Sequence, residues 1–278
     1  MIRLIATDLD GTLLNDRKEL PPDFFQVLQE LDKRNIRFVA ASGRSRQALR
    51  RVFGEEIENM TLICDNGAFL AEKDNVLFRS DLEWQNVIAV DETVQTLGPR
   101  VRAILCGTKH TYIRDFSDSS ELCNRLAISY PDYKTYQDPR EIHDAIFKIA
   151  VCDMAGAGQH AYPVLSEKFG DNLNVVWSGP VFLDIMNRGI DKGTALRRFQ
   201  AEWNISPLET MAFGDFYNDV ELLNASAYSF IMENAEPGMA AYGRYRAPSN
   251  NDCGVIQAIR RYVLQGEPFP AQGSPWVK

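Results

Sequence analysis

Short apolar runs alternate along this chain with segments in which apolar residues recur every third or fourth position. IRLIATDLDGTLL (2–14) begins with Ile2, Leu4, Ile5 and Ala6 and meets a turn signal at Gly11, the pattern of a strand covered on both faces. Pro21, Pro22 and Asp23 then open a helix whose Phe24, Val27, Leu28 and Leu31 share one face. IRFVAASGR (36–44) predicts a second strand ending in Ser-Gly, followed by a helix carrying Ala48, Val52 and Phe53. TLICDNGAFL (61–70) predicts a third strand that breaks at Asn66-Gly67. Strand and helix alternate, so the predicted sheet is parallel.

The pattern changes after about residue 80. VRAILCGTKHTYIRD (101–115) predicts two strands turning near Gly107. AIFKIAVCD (145–153), a helical 158–169 and LNVVWSGPVFLDIM (173–186) continue as strand, helix, strand and strand, an α+β unit with an antiparallel sheet. From Lys192 the first style returns. A helix over 193–203, a strand over 210–215, a helix over 218–226, a strand over 228–232 and a helix over 255–264 follow, and the tail GEPFPAQGSPWVK reads as an irregular surface segment. The reading is an α/β protein: a Rossmann-like parallel-sheet core with helices on both faces, residues 1–82 and 188–278, into which a cap domain, residues 83–187, is inserted.

Composition narrows the function. In 278 residues, 45% hydrophobic and 24% charged, there is room for a full core and two domains. A formal charge of -8 argues against a surface built for nucleic acid or anionic lipid, so an anionic substrate must be held by a local pocket. Cys64, Cys106, Cys123, Cys152 and Cys253 form no CxxC pair, and His110, His143 and His160 show no metal-ligand spacing, which points to reduced thiols and against a histidine-centred mechanism. No signal peptide is read at the N-terminus, and no apolar run approaches the roughly 20 residues of a membrane helix, so a cytoplasmic protein is expected.

Polar residues at the strand ends carry the chemistry. Asp8 and Asp10 follow the first strand, at the edge where open α/β sheets bind ligands. Residues i and i+2 of extended chain project to one side, and two such carboxylates repel unless a cation or a proton separates them. The plain alternative is a pair of solvated turn acids. Ser42 reads equally as a helix N-cap or as a ligand hydroxyl. Lys192 alone reads as a solvated lysine, and Asp215 with Asp219 as a turn acid and a capping acid. As a set they supply what phosphoryl transfer needs: a nucleophile, metal-binding acids, a hydroxyl and a cation.

DLDGTLL (8–14), ASGR (41–44), CDNGA (64–68), DKGTAL (191–196), GDFYNDVELL (214–223) and NNDCGV (250–255) resemble, in order across nearly the whole chain, the motifs of the haloacid dehalogenase-like superfamily. Within it the chain is similar to the Cof-like sugar-phosphate phosphatases, which carry a large α/β cap. The resemblance implies Asp8 as nucleophile and Asp10 as general acid and base. It implies Mg²⁺ held by Asp8, the Asp10 backbone carbonyl and Asp215, with Asp219 as a further ligand or behind them. Ser42, Gly43, Lys192 and Asn218 would bind phosphate, Asn218 alternatively orienting Asp215. Thr12, Gly11 and Arg44 would support the loops. Asp191 departs from the small polar residue expected before the lysine, and Phe216 and Tyr217 fill the loop after Asp215, where packing is the reading.

The activity so implied is hydrolysis of a small phosphorylated metabolite, with hexose or pentose phosphates ahead of nucleotides and pyridoxal phosphate, by a monomer or small homo-oligomer. The alternatives are a phosphomutase or phosphotransferase using the same aspartyl-phosphate, and a metal- and phosphate-binding regulatory protein without turnover. Lys148, His110, Trp177 and Arg188 are unranked cap contacts for the leaving group.

Overall fold

The computed structural model describes residues 1–73, 75–115, 121–130 and 132–270. Two compact units form, Met1–Phe78 with Asp191–Lys278, and Arg79–Ile190.

The first unit starts with β1 (Leu4–Thr7), α1 (Phe24–Asp32), β2 (Arg37–Ala41), α2 (Arg46–Phe53) and β3 (Thr61–Cys64). Asp65, Asn66 and Gly67 then all take positive φ, and the chain reverses into β4 (Phe69–Glu72) and β5 (Asn75–Arg79). β4 pairs antiparallel with β3, which corrects the reading of 61–70 as one broken strand: the Asn66-Gly67 break is a reversal. Gly67 is needed here, since a Cβ would sit 2.4 Å from the Asp191 carbonyl oxygen.

The second unit comprises α3 (Trp84–Thr96), β6 (Val101–Gly107), β7 (Thr111–Arg114), α4 (Glu121–Ser129), β8 (Lys134–Tyr136), β9 (Ile146–Asp153), α5 (Ala161–Phe169), β10 (Leu173–Gly179) and β11 (Phe182–Asn187). Its sheet runs β10-β11-β9-β6-β7-β8. All described pairs are antiparallel except β7 with β8, which are parallel because the longer connection carrying α4 joins them. Val87, Val90 and Val94 of α3 and Leu165 and Phe169 of α5 pack on Ala103, Leu105, Ile149, Val151, Leu183 and Ile185 of one sheet face. α5 starts at Ala161, later than expected, because buried Asp153 pins the preceding turn by accepting from the backbone N–H groups of Ala155 and Ala161 and bonding His160 Nδ1 at 2.8 Å. Of the residues singled out as cap contacts, Lys148 is buried and pairs with Asp184 Oδ1 at 3.3 Å, Trp177 lies against Gly158, and Arg188 donates to the Asp171 carbonyl.

The chain returns through α6 (Lys192–Trp203), β12 (Thr210–Gly214), α7 (Val220–Asn224), β13 (Tyr228–Met232), β14 (Tyr245–Ala247) and α8 (Gly254–Ala258), which runs on as a wider π-helical turn to Leu264. The completed core sheet has the order β14-β13-β12-β1-β2-β3-β4-β5, parallel from β14 to β3. Alternation along the strands builds a core on each face. Ile5, Ala40, Leu62, Met211 and Phe213 face α1, α2 and α8, while Leu4, Ala6, Val39, Ile63 and Ala212 face α6 and α7. The tail is less irregular than expected: Phe269 stacks on Tyr262 and lies 4.2 Å from the Tyr228 ring, while residues 271–278 lie outside the described residues.

Cys64, Cys106 and Cys152 are buried and in no disulfide, Cys253 is partly buried and likewise unbridged, and the Cys123 side chain falls outside those described. Among the described residues no helix is long and apolar enough to cross a membrane.

Candidate active site

Strand register gathers the polar residues. β1 lies between β2 and β12, with Thr7 opposite both Ala40 and Phe213. The residues just past these strand ends, Asp8, Ser42 and Asp215, therefore meet at one edge of the sheet. Lys192 comes from the first turn of α6. The Nζ of Lys192 lies 2.6 Å from Asp8 Oδ1 and 2.6 Å from Asp219 Oδ1, with the lysine fully enclosed. The reading of Lys192 as a solvated side chain is thereby overturned. The alternative of Asp219 as a capping acid also has a basis, since its other oxygen accepts from the N–H groups of Asp215 and Phe216 at the start of the turn Tyr217–Asp219. Thr12 Oγ1 donates to Asp215 Oδ1 at 2.6 Å, which ties the first acidic loop to the last.

Gly11 sits where those loops touch. Its φ is 84°, and a Cβ there would lie 2.5 Å from Asp215 Oδ2, so only glycine fits. Carboxylate oxygens of Asp8, Asp215 and Asp219 lie within 4.8 Å of one another. Burial, then the charge of Asp219, pushes the Asp8 carboxyl up to about 7 although Lys192 opposes them. Burial and the charges of Asp8 and Asp219 raise Asp215 well above the usual carboxylate range. Burial works against a charged Lys192, but the attraction of Asp219 and Asp8 outweighs it and raises its pKa. All three shifts run upward for one reason: three carboxylates share one ammonium, so full ionisation leaves two negative charges uncompensated, which favours a proton on Asp8, Asp215 and Lys192.

Asp10 is set apart from that cluster. Arg44 grips it with Nε on Oδ2 and Nη2 on Oδ1, both at 2.6 Å, and Lys18 Nζ adds a contact at 2.8 Å. Burial disfavours its charge, yet the bonds and charge of Arg44, with Lys18, hold its carboxyl below the usual range. Two acids one residue apart thus have opposite tendencies.

Other expected residues occupy more local roles. Ser42 is buried, and its Oγ accepts from the Arg44 N–H at 3.1 Å; the N-cap of α2 is Ser45, which accepts from the Ala48 N–H. Gly43 packs against the Asn66 amide, a Cβ there falling 3.2 Å from Asn66 Nδ2. Asn218 Nδ2 donates to Asn66 Oδ1 at 3.1 Å. Asp191 is the N-cap of α6, taking bonds from the Thr194 N–H at 2.7 Å and Thr194 Oγ1 at 2.9 Å. Its charge offsets the helix N-terminus that presents Lys192. Phe216 and Tyr217 meet edge to face at 5.3 Å, and Tyr217 packs its hydroxyl onto Gly238.

Sequence reasoning missed Lys18, Asn66 and Asn234. Asn66 lies inside the CDNGA motif, but nothing in the sequence marks Lys18, which contacts Asp10, or Asn234, whose Nδ2 donates to the Gly11 carbonyl, as neighbours of the acidic loop.

The model of the haloacid dehalogenase-like hydrolases matches residues 5–259. The chain belongs to this family. A 5-amino-6-(5-phospho-D-ribitylamino)uracil phosphatase of Escherichia coli, YbjI, is 30% identical over 270 residues, covering 96% of this chain and 98% of that protein. An HMP-PP phosphatase of Klebsiella pneumoniae is 29% identical, with 87% of this chain and 88% of that protein covered. The solved structure of SMU.1108c from Streptococcus mutans superimposes with a TM-score of 0.89 at 28% identity, over 95% of this chain and 100% of that one. Membership of this hydrolase family agrees with the resemblance carried by the motifs and with the parallel core and second sheet of the fold.

Proposed function

We propose that this hydrolase is a Mg²⁺-dependent phosphatase of small phosphorylated metabolites, working through an aspartyl-phosphate on Asp8. The observation that carries the reading is the charge balance of the enclosed cluster: Asp8, Asp215 and Asp219 converge around Lys192 with a deficit that a divalent cation cancels. An all-oxygen donor set suits Mg²⁺. Asp8, the Asp10 carbonyl and Asp215 would hold it, with Asp219 behind them fixing Lys192 and the Asp215 loop. When bound, Mg²⁺ relieves the repulsion among the acids and draws charge from the phosphoryl oxygens.

An oxygen of ionised Asp8 attacks phosphorus, and the bond to the leaving oxygen breaks. Asp10, which must carry a proton for this half against the pull of Arg44 and Lys18, gives it to that oxygen. In the second half Asp10, again a carboxylate, takes a proton from water as the water attacks phosphorus, and the Asp8–phosphorus bond breaks to release phosphate. Arg44 and Lys18 favour the ionised Asp10 needed for this second half. Lys192, the Ser42 hydroxyl, the Gly43 backbone and Asn218 hold the phosphoryl oxygens in this account. Sugar phosphates head the substrate list, joined by phosphorylated ribityl compounds because the Escherichia coli relative is named for one.

The test is phosphate release from sugar phosphates, nucleotides, pyridoxal phosphate and ribityl phosphates, with Mg²⁺ or EDTA. Release that EDTA stops supports the reading; full release in EDTA overturns its metal dependence, and silence across the panel overturns the substrate class.

A further inference from the structure

One short segment after β13 grips both acid-bearing loops. Asn234 Nδ2 donates to the Gly11 carbonyl at 2.7 Å, and two residues on, the Glu236 N–H donates to the Asp215 carbonyl at 3.0 Å. Asn234 is itself held from behind, since its Oδ1 accepts from the Asn250 N–H at 2.9 Å. Asn250, 2% exposed, reaches the far side of the same loop, donating to the Leu14 carbonyl at 3.0 Å and to Asp16 Oδ1 at 3.1 Å. Asn251 closes the series with two bonds to Asp16, one to its N–H and one to its carboxylate.

Between these anchors the loop from Asp8 to Asp16 is fastened to itself by turn bonds, from Thr12 and Leu14 to the Leu9 carbonyl and from Leu13 to that of Asp8, and by a bridge of Asp10 with Leu14, while the side chains of Asp10 and Thr12 are held by Arg44, Lys18 and Asp215. At its apex Gly11 has a positive φ, and because glycine populates positive and negative φ about equally, a group outside the residue must fix where its carbonyl points. The group that does so here is the Asn234 carboxamide. Its chemistry is matched at both ends, an NH₂ for a carbonyl and an oxygen for an N–H.

We propose that Asn234 is a positioning residue for catalysis: by fixing the Gly11 peptide against the Asp215 loop it sets the Asp10 and Thr12 positions, with Asn250 as its support. The inference deepens the phosphatase reading and rests on it for its kinetic readout. A misplacement of the reacting groups by about 1 Å costs up to roughly a hundredfold, so the effect belongs in kcat.

Asn234→Asp separates positioning from packing. It keeps the oxygen that accepts from Asn250 but sets a carboxylate oxygen against the Gly11 carbonyl, whereas Asn234→Ala removes both bonds. The expected result is a fall in kcat of about tenfold or more for both variants with KM little changed. Unfolding temperatures should stay near wild type. Amide hydrogen exchange in the peptide covering residues 9–14 should be faster in both variants, with the strand peptides unaltered. Asn251→Ala, whose side-chain bonds among the described residues go to Asp16, should keep wild-type kcat. Wild-type kcat in Asn234→Asp, or unchanged exchange over residues 9–14, would overturn the proposal. So would a loss of kcat that only tracks a loss of stability. If the wild-type protein releases no phosphate from any substrate, the phosphatase reading fails, and the exchange comparison, made without substrate, still decides whether Asn234 holds the loop.

Discussion

Lys192 Nζ lies 2.6 Å from Asp8 Oδ1, joining the first turn of α6 to the end of β1 across most of the chain's length. The lysine is fully enclosed, so the pair is not a surface ion pair of small worth. Removing one partner of such a pair leaves a buried charge without compensation. Lys192→Met should therefore destabilise the protein in EDTA by about 3–5 kcal/mol. Phosphate release should fall by about a hundredfold or more, because the cation facing the phosphoryl group is lost. Thermal unfolding and a phosphate assay check both, and an unchanged unfolding temperature in EDTA would contradict the charge balance described here.

The same cluster predicts an unusual pH dependence. The Asp8 carboxyl sits at about 7 in the folded, metal-free protein against an ordinary 3.8. Between those values the native state holds a proton that the unfolded chain has released. Stability present below 3.8 is thus lost as pH rises through 7, and Asp215 acts in the same direction. In EDTA the unfolding temperature should fall between about pH 5 and pH 8, and Mg²⁺ or Asp8→Asn should flatten that fall. A metal-free unfolding temperature that rises over this range would contradict it.

Arg44 should matter through Asp10. With Arg44→Met the carboxylate keeps Lys18 but loses its two-bond partner, and its pKa moves up. The limb of the rate profile that Asp10 governs should shift to higher pH, as a pH series of kcat/KM would show. A limb in the wild-type position would mean that another group supplies the proton.

Much of this was legible before the fold was known. Alternation of apolar runs located β1, β2, β12 and β13, because strands buried on both faces need unbroken apolar stretches. Short edge strands such as β14, Tyr-Arg-Ala, carry no such run and were not visible. The turn at Asp65–Gly67 was seen as an interruption, but its direction depends on backbone angles that composition does not encode. In the site, the type of residue was readable and its partner was not. Lys192 read as solvated in isolation because only the register of β1 against β12 brings Asp8 and Asp219 to it. Ser42 read equally as a cap or a ligand hydroxyl because the sequence does not mark where α2 starts, and the structure gives the cap to Ser45. Asn234 lies far from the loop it holds, so no local pattern marks it.

The central claim is a covalent step at Asp8, and the most direct measurement is to trap it. Enzyme quenched in acid during turnover and then reduced with borohydride converts an aspartyl-phosphate to homoserine, which peptide sequencing by mass spectrometry locates. The account predicts homoserine at position 8, dependent on substrate, with position 10 unmodified. Active turnover with aspartate intact at position 8, or with the modification at another acid, would contradict it.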